Sequence, residues 1–300
     1  MTVTYLPPAS DPMSLTVGSP AWCRLVTASK VSGILGLSPR DSPLRTWHVM
    51  AGNLPSDDGN NADAKARGHY LESGCLAWWL DQKPGRSFIG SQVTHMLGDW
   101  AAATPDADAY DGEDYVLVDA KTAADDDHWT DTEPPAYYVA SSLWQLACEP
   151  KAKRVHLAVL FGRPRLSFRE YVIERDNALI AGLIDECRTF YDTVQAGQEP
   201  GLSDMACDYD VIRTVHPDID RDGIAYLDDD LVRDFLTDAA HEKRAPLTKA
   251  AVLAAMGTAR LAKNASGQTI ARRQPRGDAV TLVRVAEPID LTPATERPAA

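Results

Sequence analysis

The sequence predicts an α/β fold in which a central mixed sheet is flanked by helices, with a small C-terminal α+β extension. Three observations predict this class. Stretches of helical periodicity alternate with strand-like runs through the first 200 residues, an order typical of a sheet covered by helices. The chain has 300 residues, of which 44% are hydrophobic, enough for one large domain with an extension. Charged residues make up 24%, an ordinary share for a globular protein.

Composition divides the chain into four parts. Residues 1–20 contain four prolines and little periodicity, which predicts a flexible leader. Residues 21–200 carry the periodic elements of the predicted core. Residues 201–286 form a partly basic extension, and the stretch 197–222 at the junction has the composition of a linker. The Pro-rich residues 287–300 are predicted to be disordered.

Capping residues and prolines indicate where the helices begin. Thr27 can N-cap a helix, Ser42 stands directly before a proline, and Asp176 precedes an amphipathic run. Pro134 and Pro135 open a further helix. The predicted core helices are 27–37, 43–50, 62–81, 135–148 and 176–194, and the predicted helices of the extension are 229–240 and 247–262.

Strand-like runs fill the spaces between these helices. A run over 87–103 is followed by an Asp- and Gly-rich turn and a second strand over 115–122. The runs 154–161 and 166–173 form a pair around a Gly-Arg-Pro turn. In the extension, a last strand pair is predicted on either side of Gly277.

Charge is distributed unevenly along the chain. The net charge of −13 argues against a generally basic nucleic-acid binder. From His241 to Val285, however, nine Lys and Arg face two acids, so this segment is +7 and the remainder −20. The segment is either a solvated basic surface or a local phosphate-binding region on an acidic body.

Two features bear on the compartment. No apolar run approaches the roughly 20 residues of a membrane helix, and the N-terminus lacks the pattern of a signal peptide. The five cysteines are scattered without metal or cluster spacing, which favours reduced thiols in a cytoplasm.

His69 and His95 are predicted to be packing or surface histidines, because a site for a hard cation needs no imidazole.

An acid and a lysine end the strand predicted over 115–122. Asp119 and Lys121 share one face because side chains alternate along a strand, and Asp106 in the preceding turn can reach the same place. Neighbouring carboxylates repel unless a cation lies between them, and oxygen ligands suit Mg²⁺ or Mn²⁺. Taken alone, the spacing is far more often a surface ion pair than a metal site, so it does not establish the metal site.

Six stretches, in order, carry a more specific pattern. They are WCRLVTASKVSGILG at 22–36, GHYLE at 68–72, ATPDA at 103–107, VDAKT at 118–122, YYVASSLWQLA at 137–147 and REYVIERD at 169–176. Together they resemble the motifs of the phage lambda-type exonucleases, also called YqaJ-like viral recombinases, of the PD-(D/E)xK nuclease superfamily. The resemblance covers roughly residues 22–194 and implies a restriction-endonuclease-like core.

The resemblance implies roles for residues of the acidic stretch. Asp106 and Asp119 would be metal ligands, with the carbonyl of Ala120 as a third. Lys121 would be the catalytic lysine. Glu72 would be the additional helix acid that completes the metal site or positions water. The family usually has glutamate where this chain has Asp119, which is one methylene shorter.

The resemblance also implies contacts with DNA. Arg24 and Ser29 match positions that hold the 5′ phosphate of a DNA end, although Ser29 is equally suited to capping a helix. The family's helix glutamine falls at Ser141 in this chain. Gln145 lies one helical turn later on the same face and is a candidate to replace it.

The implied function is a Mg²⁺-dependent exonuclease, with Mn²⁺ able to substitute. It would degrade linear double-stranded DNA from 5′ to 3′ and leave 3′ overhangs for phage-type recombination. Double-stranded DNA ends, a single-strand annealing protein and further copies of the chain in a ring are the expected partners, in the cytoplasm of a bacterial host of a phage or prophage. A nicking or structure-specific endonuclease and a catalytically degraded DNA-binding subunit remain alternatives.

Overall fold

The computed structural model describes residues 3–5, 19–56, 62–125, 128–163, 165–238, 245–277 and 279–284. The chain forms two compact units. The first consists of Met1–Pro39 and Val49–Gln198, and the second of Arg40–His48 and Glu199–Ala300. Residues 40–48, which the sequence places in the core domain, therefore belong to the second unit. No helix among the described residues is long and apolar enough to cross a membrane.

The helices mostly begin where caps and prolines predict them. Asp176 accepts hydrogen bonds from the N–H groups of Ala178 and Leu179, and the Ser42 hydroxyl accepts one from the N–H of Arg45. The helices are α1 Pro20–Arg24, α2 Ala28–Ile34, α3 Pro43–Ala51, α4 Ala62–Asp81, α5 Ala136–Cys148, α6 Asn177–Gln195, α7 Cys207–Val215, α8 Asp229–Asp238 and α9 Ala245–Met256.

The strands form three sheets. They are β1 Val3–Tyr5, β2 Val26–Thr27, β3 Arg86–Ser91, β4 His95–Leu97, β5 Ala101–Ala103, β6 Ala107–Asp111, β7 Asp114–Ala123, β8 Arg154–Phe161, β9 Ser167–Glu174, β10 Asp220–Tyr226, β11 Ala259–Lys263, β12 Thr269–Arg276 and β13 Ala279–Arg284. In the first unit, a five-stranded sheet has the order β3-β6-β7-β8-β9 and a small sheet the order β1-β4-β5-β2. In the second unit, the order is β10-β11-β12-β13.

The five-stranded sheet is the centre of the first unit, and β7 shows how it is covered. β7 pairs in parallel with β8 and antiparallel with β6, so the sheet is mixed. Leu117 faces a core that contains Trp144 of α5, whereas Val118 faces a separate core with Trp79 of α4. Helices therefore cover both faces, and the predicted α/β class with a central mixed sheet is confirmed.

The predicted strand over 87–103 was wrong in its length. It is three strands, β3, β4 and β5, because the backbone enters the left-handed region at Gln92 and Gly98, with φ of 52° and 66°. The predicted turn that follows contains β6. Asp108 and Asp111 of β6 are buried rather than solvated, because basic side chains contact both carboxylates.

Two predictions around the second unit were also wrong. The predicted linker 197–222 contains α7, whose Val211 and Ile212 are buried, and the start of β10. The predicted helix 247–262 ends at Met256, since Gly257 has a φ of 52° and the chain continues as β11. Beside the sheet, α7 packs against α9. The predicted strand pair across Gly277 is present as β12 and β13.

The chain termini were predicted to lack regular structure. Within the predicted leader, Val3–Tyr5 instead forms β1 and pairs antiparallel with β4. Residues 6–18 lie outside the described residues, as does the whole predicted disordered tail, 287–300.

Candidate active site

Asp106, Asp119 and Lys121 line a single pocket of about 350 Å³ in the first unit. Residues of β7, α2 and α5 line the pocket, and Ser29 of α2 and Ser141 of α5 contribute to its wall. The two carboxylates and the amine that the sequence predicts at one location are thus brought together.

The alternation of β7 aims two of these side chains into the pocket. Asp119 and Lys121 lie on the face of Leu117, and the Lys121 Nζ atom is 2.6 Å from Oδ2 of Asp119. The same Nζ donates to the Ala120 carbonyl at 3.1 Å. Burial disfavours the charged form of Lys121, but the charges of Asp119 and Asp106 outweigh burial and raise its pKa above the ordinary value.

Strand pairing positions the other carboxylate. Ala107 of β6 is opposite Val118 of β7, so Asp106, one residue before Ala107, lies next to Asp119 and Ala120 of β7. Its Oδ2 accepts a hydrogen bond of 2.7 Å from the Ala120 N–H. Burial and the negative charge of Asp119 raise the pKa of Asp106 to about 7, although Lys121 and the Ala120 N–H act in the opposite direction.

Glu72 approaches from the other side of the sheet. It belongs to α4, which packs on the face of β7 opposite to the one that carries Asp119. Glu72 is not part of the pocket wall, and its Oε1 accepts a hydrogen bond of 3.4 Å from Gln92. Its charge nevertheless contributes to the raised pKa of Asp106, so Glu72 is within electrostatic range of the pocket.

The donor atoms of the pocket fit a hard divalent cation. Among the described residues, no three or more His, Cys, Asp and Glu side chains form a group that could hold a metal. Mg²⁺, however, is commonly bound by only one or two carboxylates together with waters and substrate phosphate. Asp106 and Asp119 supply two carboxylates, and burial, followed by the charge of Asp119, raises the pKa of Asp106 despite the nearby Lys121 ammonium group.

The predicted DNA contacts divide into two groups. Ser29, Ser141 and Gln145 line the pocket. The Ser29 and Thr27 hydroxyls are 3.1 Å apart, which agrees with the position of Ser29 at the start of α2. Arg24 is exposed at the end of α1 and does not belong to the pocket wall.

Gln145 has an unusual environment for an amide. The residue is only 3% exposed, and its Oε1 atom has no hydrogen-bond partner among the described residues. A buried acceptor without a partner costs about 1–3 kcal/mol, so Gln145 is a candidate to accept a hydrogen bond from a molecule that enters the pocket.

Sequence reasoning missed part of the pocket wall. Tyr137 and Tyr138 line the pocket, with ring centroids 4.4 Å apart, and Thr104 lies beside Asp106. The paired tyrosines occur at the start of the stretch 137–147. Tyr137 lies one helical turn before Ser141, on the same face of α5, and this spacing could have predicted that the tyrosines belong to the pocket wall.

A buried histidine links the strands and the helix that support the site. His95 of β4 is completely buried, with Nε2 at 3.0 Å from Asp108 Oδ1 and Nδ1 at 3.1 Å from Glu149 Oε2. Burial disfavours its charge, but both carboxylates outweigh burial and raise the pKa of His95 to about 9. Because β6 follows Asp106 and α5 carries Gln145, this triad fixes the elements behind the pocket.

The comparisons with known proteins give structural similarity only. No family model matches the chain, and the comparison with curated proteins finds no match. An alkaline exonuclease from Laribacter hongkongensis (LHK-Exo) is 21% identical, with a TM-score of 0.46 over 59% of this chain and 91% of that one. The same enzyme in complex with dAMP gives 20% identity and a TM-score of 0.48, over 61% and 94%.

A phage-related exonuclease from Haemophilus somnus 129PT is 11% identical, with a TM-score of 0.41 over 58% of this chain and 96% of that one. Because the identities are below 25% and the TM-scores lie below 0.5, this likeness does not indicate a function, which is inferred below from the pocket.

Proposed function

We propose that the first unit is a metal-dependent nuclease that hydrolyses the phosphodiester backbone of DNA from an end. One observation carries the proposal: Asp106, Asp119 and Lys121 come from two neighbouring segments and converge in one pocket. A purely structural ion pair would need only one carboxylate for one amine. A second carboxylate beside the buried Asp119, itself partly withdrawn from solvent, is costly unless a further cation enters, which favours a divalent ion.

Each residue around the pocket has a distinct role in this proposal. Asp106 and Asp119 bind the ion, with the Ala120 carbonyl as a third donor, and Glu72 adds negative charge from the other side of the sheet. Bound Mg²⁺, or Mn²⁺ in its place, would supply Lewis-acid polarisation of the scissile phosphate and an activated water. The Lys121 ammonium, held by Asp119, stabilises the negative charge that develops on the phosphate oxygens.

The polar residues of the opposite wall position the reactants. Gln145 Oε1, which lacks a partner among the described residues, accepts a hydrogen bond from the attacking water. Ser29 and Ser141 offer hydroxyl donors to phosphate oxygens within the same pocket. Arg24 lies outside the wall and would contact a phosphate further along a DNA strand.

The finer features of the function rest on the sequence resemblance. They are the 5′-to-3′ direction, the 3′-overhang product for phage-type recombination, a ring of identical subunits, a single-strand annealing partner and a phage-encoded origin in a bacterial cytoplasm. Light scattering would count the subunits, and a strict monomer would contradict the ring.

Digestion of an end-labelled linear duplex with Mg²⁺ tests the activity, with a covalently closed circle as control. We expect loss of label from the linear DNA only, no reaction with EDTA, and little reaction by Asp119→Asn. Glu113→Gln, an exposed acid on the turn before β7, is the matched control and should remain active. Nicking of the circle would instead identify an endonuclease, and end binding without cleavage would identify a DNA-binding subunit.

A further inference from the structure

A second polar pocket lies entirely within the second unit. It has a volume of about 530 Å³, and three arginines from neighbouring strands line it: Arg221 of β10, Arg260 of β11 and Arg273 of β12. Pro217, Asp218, Ile219 and Pro275 complete the wall. The volume falls in the range of about 300–1,000 Å³ that is typical of small-ligand sites.

Arg273 is the unusual member of this cluster. Its side chain lies on the buried face of β12, and the residue is only 2% exposed. Nη1 donates to the Asp218 carbonyl at 3.0 Å, which fixes the orientation of the guanidinium group. Nε and Nη2 are both buried and have no hydrogen-bond partner among the described residues. A buried charged donor without a partner is costly, so the position needs an explanation beyond packing.

The two unpartnered nitrogens form one edge of the guanidinium group. Nε–H and the neighbouring Nη2–H point in the same direction, and this edge makes the parallel pair of hydrogen bonds to a carboxylate or phosphate. Within the described part of the chain, no carboxylate forms an ion pair with Arg221, Arg260 or Arg273. Burial is the cause that lowers the pKa of Arg273 from its ordinary value, as expected for a cation without an anionic neighbour.

The rim of the pocket has the same charge as its interior. Arg221 and Arg260 are both exposed, and Asp218 is the single acid of the wall. Three guanidinium groups offer more donors than the two oxygens of a carboxylate can accept, whereas a phosphoryl group has three or four oxygens. The chemistry of the wall therefore favours phosphate over carboxylate.

We infer that this pocket binds a phosphoryl group, with the Nε and Nη2 edge of Arg273 making the inner contact and Arg221 and Arg260 closing over it. Because Nε and Nη2 have almost no accessible surface, the exposed arginines change rotamer as the anion enters, a motion of picoseconds to nanoseconds for surface side chains. The phosphoryl group belongs either to a free phosphate compound or to a polynucleotide backbone. The inference does not depend on the proposed nuclease activity.

Thermal unfolding of the full chain with increasing inorganic phosphate, at constant ionic strength against chloride, tests the site. Phosphate also stabilises proteins without binding, so two exposed arginines of one sheet are compared. Arg260→Gln removes a wall residue, and Arg284→Gln on β13 removes the same charge outside the wall. We expect a rise in Tm on the order of 3 °C for the wild type and for Arg284→Gln, largely lost in Arg260→Gln. Equal shifts in the two variants would overturn the inference.

A second arm separates the two sources of phosphate. The probe is a duplex closed at both ends by hairpins, which offers no end to the first unit, titrated without divalent metal. If the ligand is a polynucleotide, Arg221→Gln and Arg260→Gln weaken binding by roughly tenfold and lower the salt slope by about 1, whereas Arg284→Gln does not lower affinity to that extent. If duplex affinity is the same for all variants while Arg260→Gln loses the rise in Tm caused by phosphate, the ligand is a free phosphate compound. Stabilisation by acetate equal to that by phosphate would contradict a phosphoryl site.

Discussion

Three cations differ in their surroundings: Lys121 and His95 in the first unit and Arg273 in the second. Lys121 is partly exposed, whereas His95 and Arg273 are fully buried. Lys121 is 2.6 Å from Asp119, and His95 lies between Asp108 and Glu149. Arg273 bonds through one nitrogen to a backbone carbonyl, and no carboxylate of the described residues pairs with it. The paired cations belong to preorganised polar networks, whereas the unpaired one is positioned for an anion that comes from outside.

The acidic and basic pockets consequently require opposite partners. In the first unit, two carboxylates exceed one ammonium group, so the pocket must gain a cation before it can accept a phosphate. In the second unit, three arginines exceed one aspartate, and the pocket can accept a phosphate directly. The same ligand chemistry would thus be recognised by two different electrostatic routes within one acidic chain.

The largest expected effect comes from removing a paired cation. His95→Gln leaves Asp108 and Glu149 buried without their common partner, so we expect a loss of roughly 3–5 kcal/mol in the free energy of unfolding. Urea unfolding of both proteins at pH 6 measures it. His69→Gln changes an exposed histidine of α4 in the same way and should leave stability nearly unchanged. A loss below 1 kcal/mol for His95→Gln would mean that the triad is not a paired network.

Lys121→Ala tests the other paired cation through catalysis. Without the ammonium group, charge on the phosphate is stabilised less, and we expect cleavage of linear duplex to slow by at least about 10²–10³-fold. Binding to DNA ends, measured by fluorescence anisotropy with Ca²⁺, should persist. Lys151→Ala, which changes an exposed lysine of the same unit, serves as control. Unchanged cleavage by Lys121→Ala would reject the proposed site.

The pH dependence of stability follows from the raised pKa of His95. The folded state holds the proton up to a pH of about 9, whereas an unfolded histidine releases it near 6.5. The stabilisation is complete below about pH 6.5 and is lost as the pH rises to about 9. The shift corresponds to roughly 3 kcal/mol. For the wild type, the urea midpoint should decrease as the pH rises from about 6.5 to about 9, measured from pH 6 to 10. His95→Gln should not show this decrease.

Arg273→Met has the smallest expected effect on stability, because it removes a cation that no carboxylate of the described residues neutralises and that makes one hydrogen bond, to the Asp218 carbonyl. We expect the free energy of unfolding in phosphate-free buffer to change by less than about 1 kcal/mol or to increase, since an apolar side chain of similar length fills the same space. Urea unfolding measures the change, with Arg284→Met as the exposed control. A loss comparable with that of His95→Gln would show that Arg273 has a structural role and needs no ligand.

Local signals in the sequence predicted the regular elements well where caps and periodicity coincide. The helix over 62–81 and the strand over 154–161 have the predicted bounds, because both depend on patterns within the segment itself. The segment 87–103 was predicted as one strand, since its breaks at Gln92 and Gly98 are left-handed backbone positions within an otherwise strand-like run. The burial of Asp108 depends on His95 and Glu149, which are distant in the sequence.

Local sequence patterns are enough to predict the α/β class, the order of the main elements and the convergence of two acids and a lysine near one strand. These properties follow from side-chain alternation, helical period and capping, all of which act within about ten residues. Three features are visible only in the folded chain: Asp106 accepts a hydrogen bond from the Ala120 N–H, Glu72 stays outside the pocket wall, and Arg273 is buried with Nε and Nη2 unpartnered among the described residues. Strand register and the choice of face join residues far apart in the chain, and no local pattern specifies them.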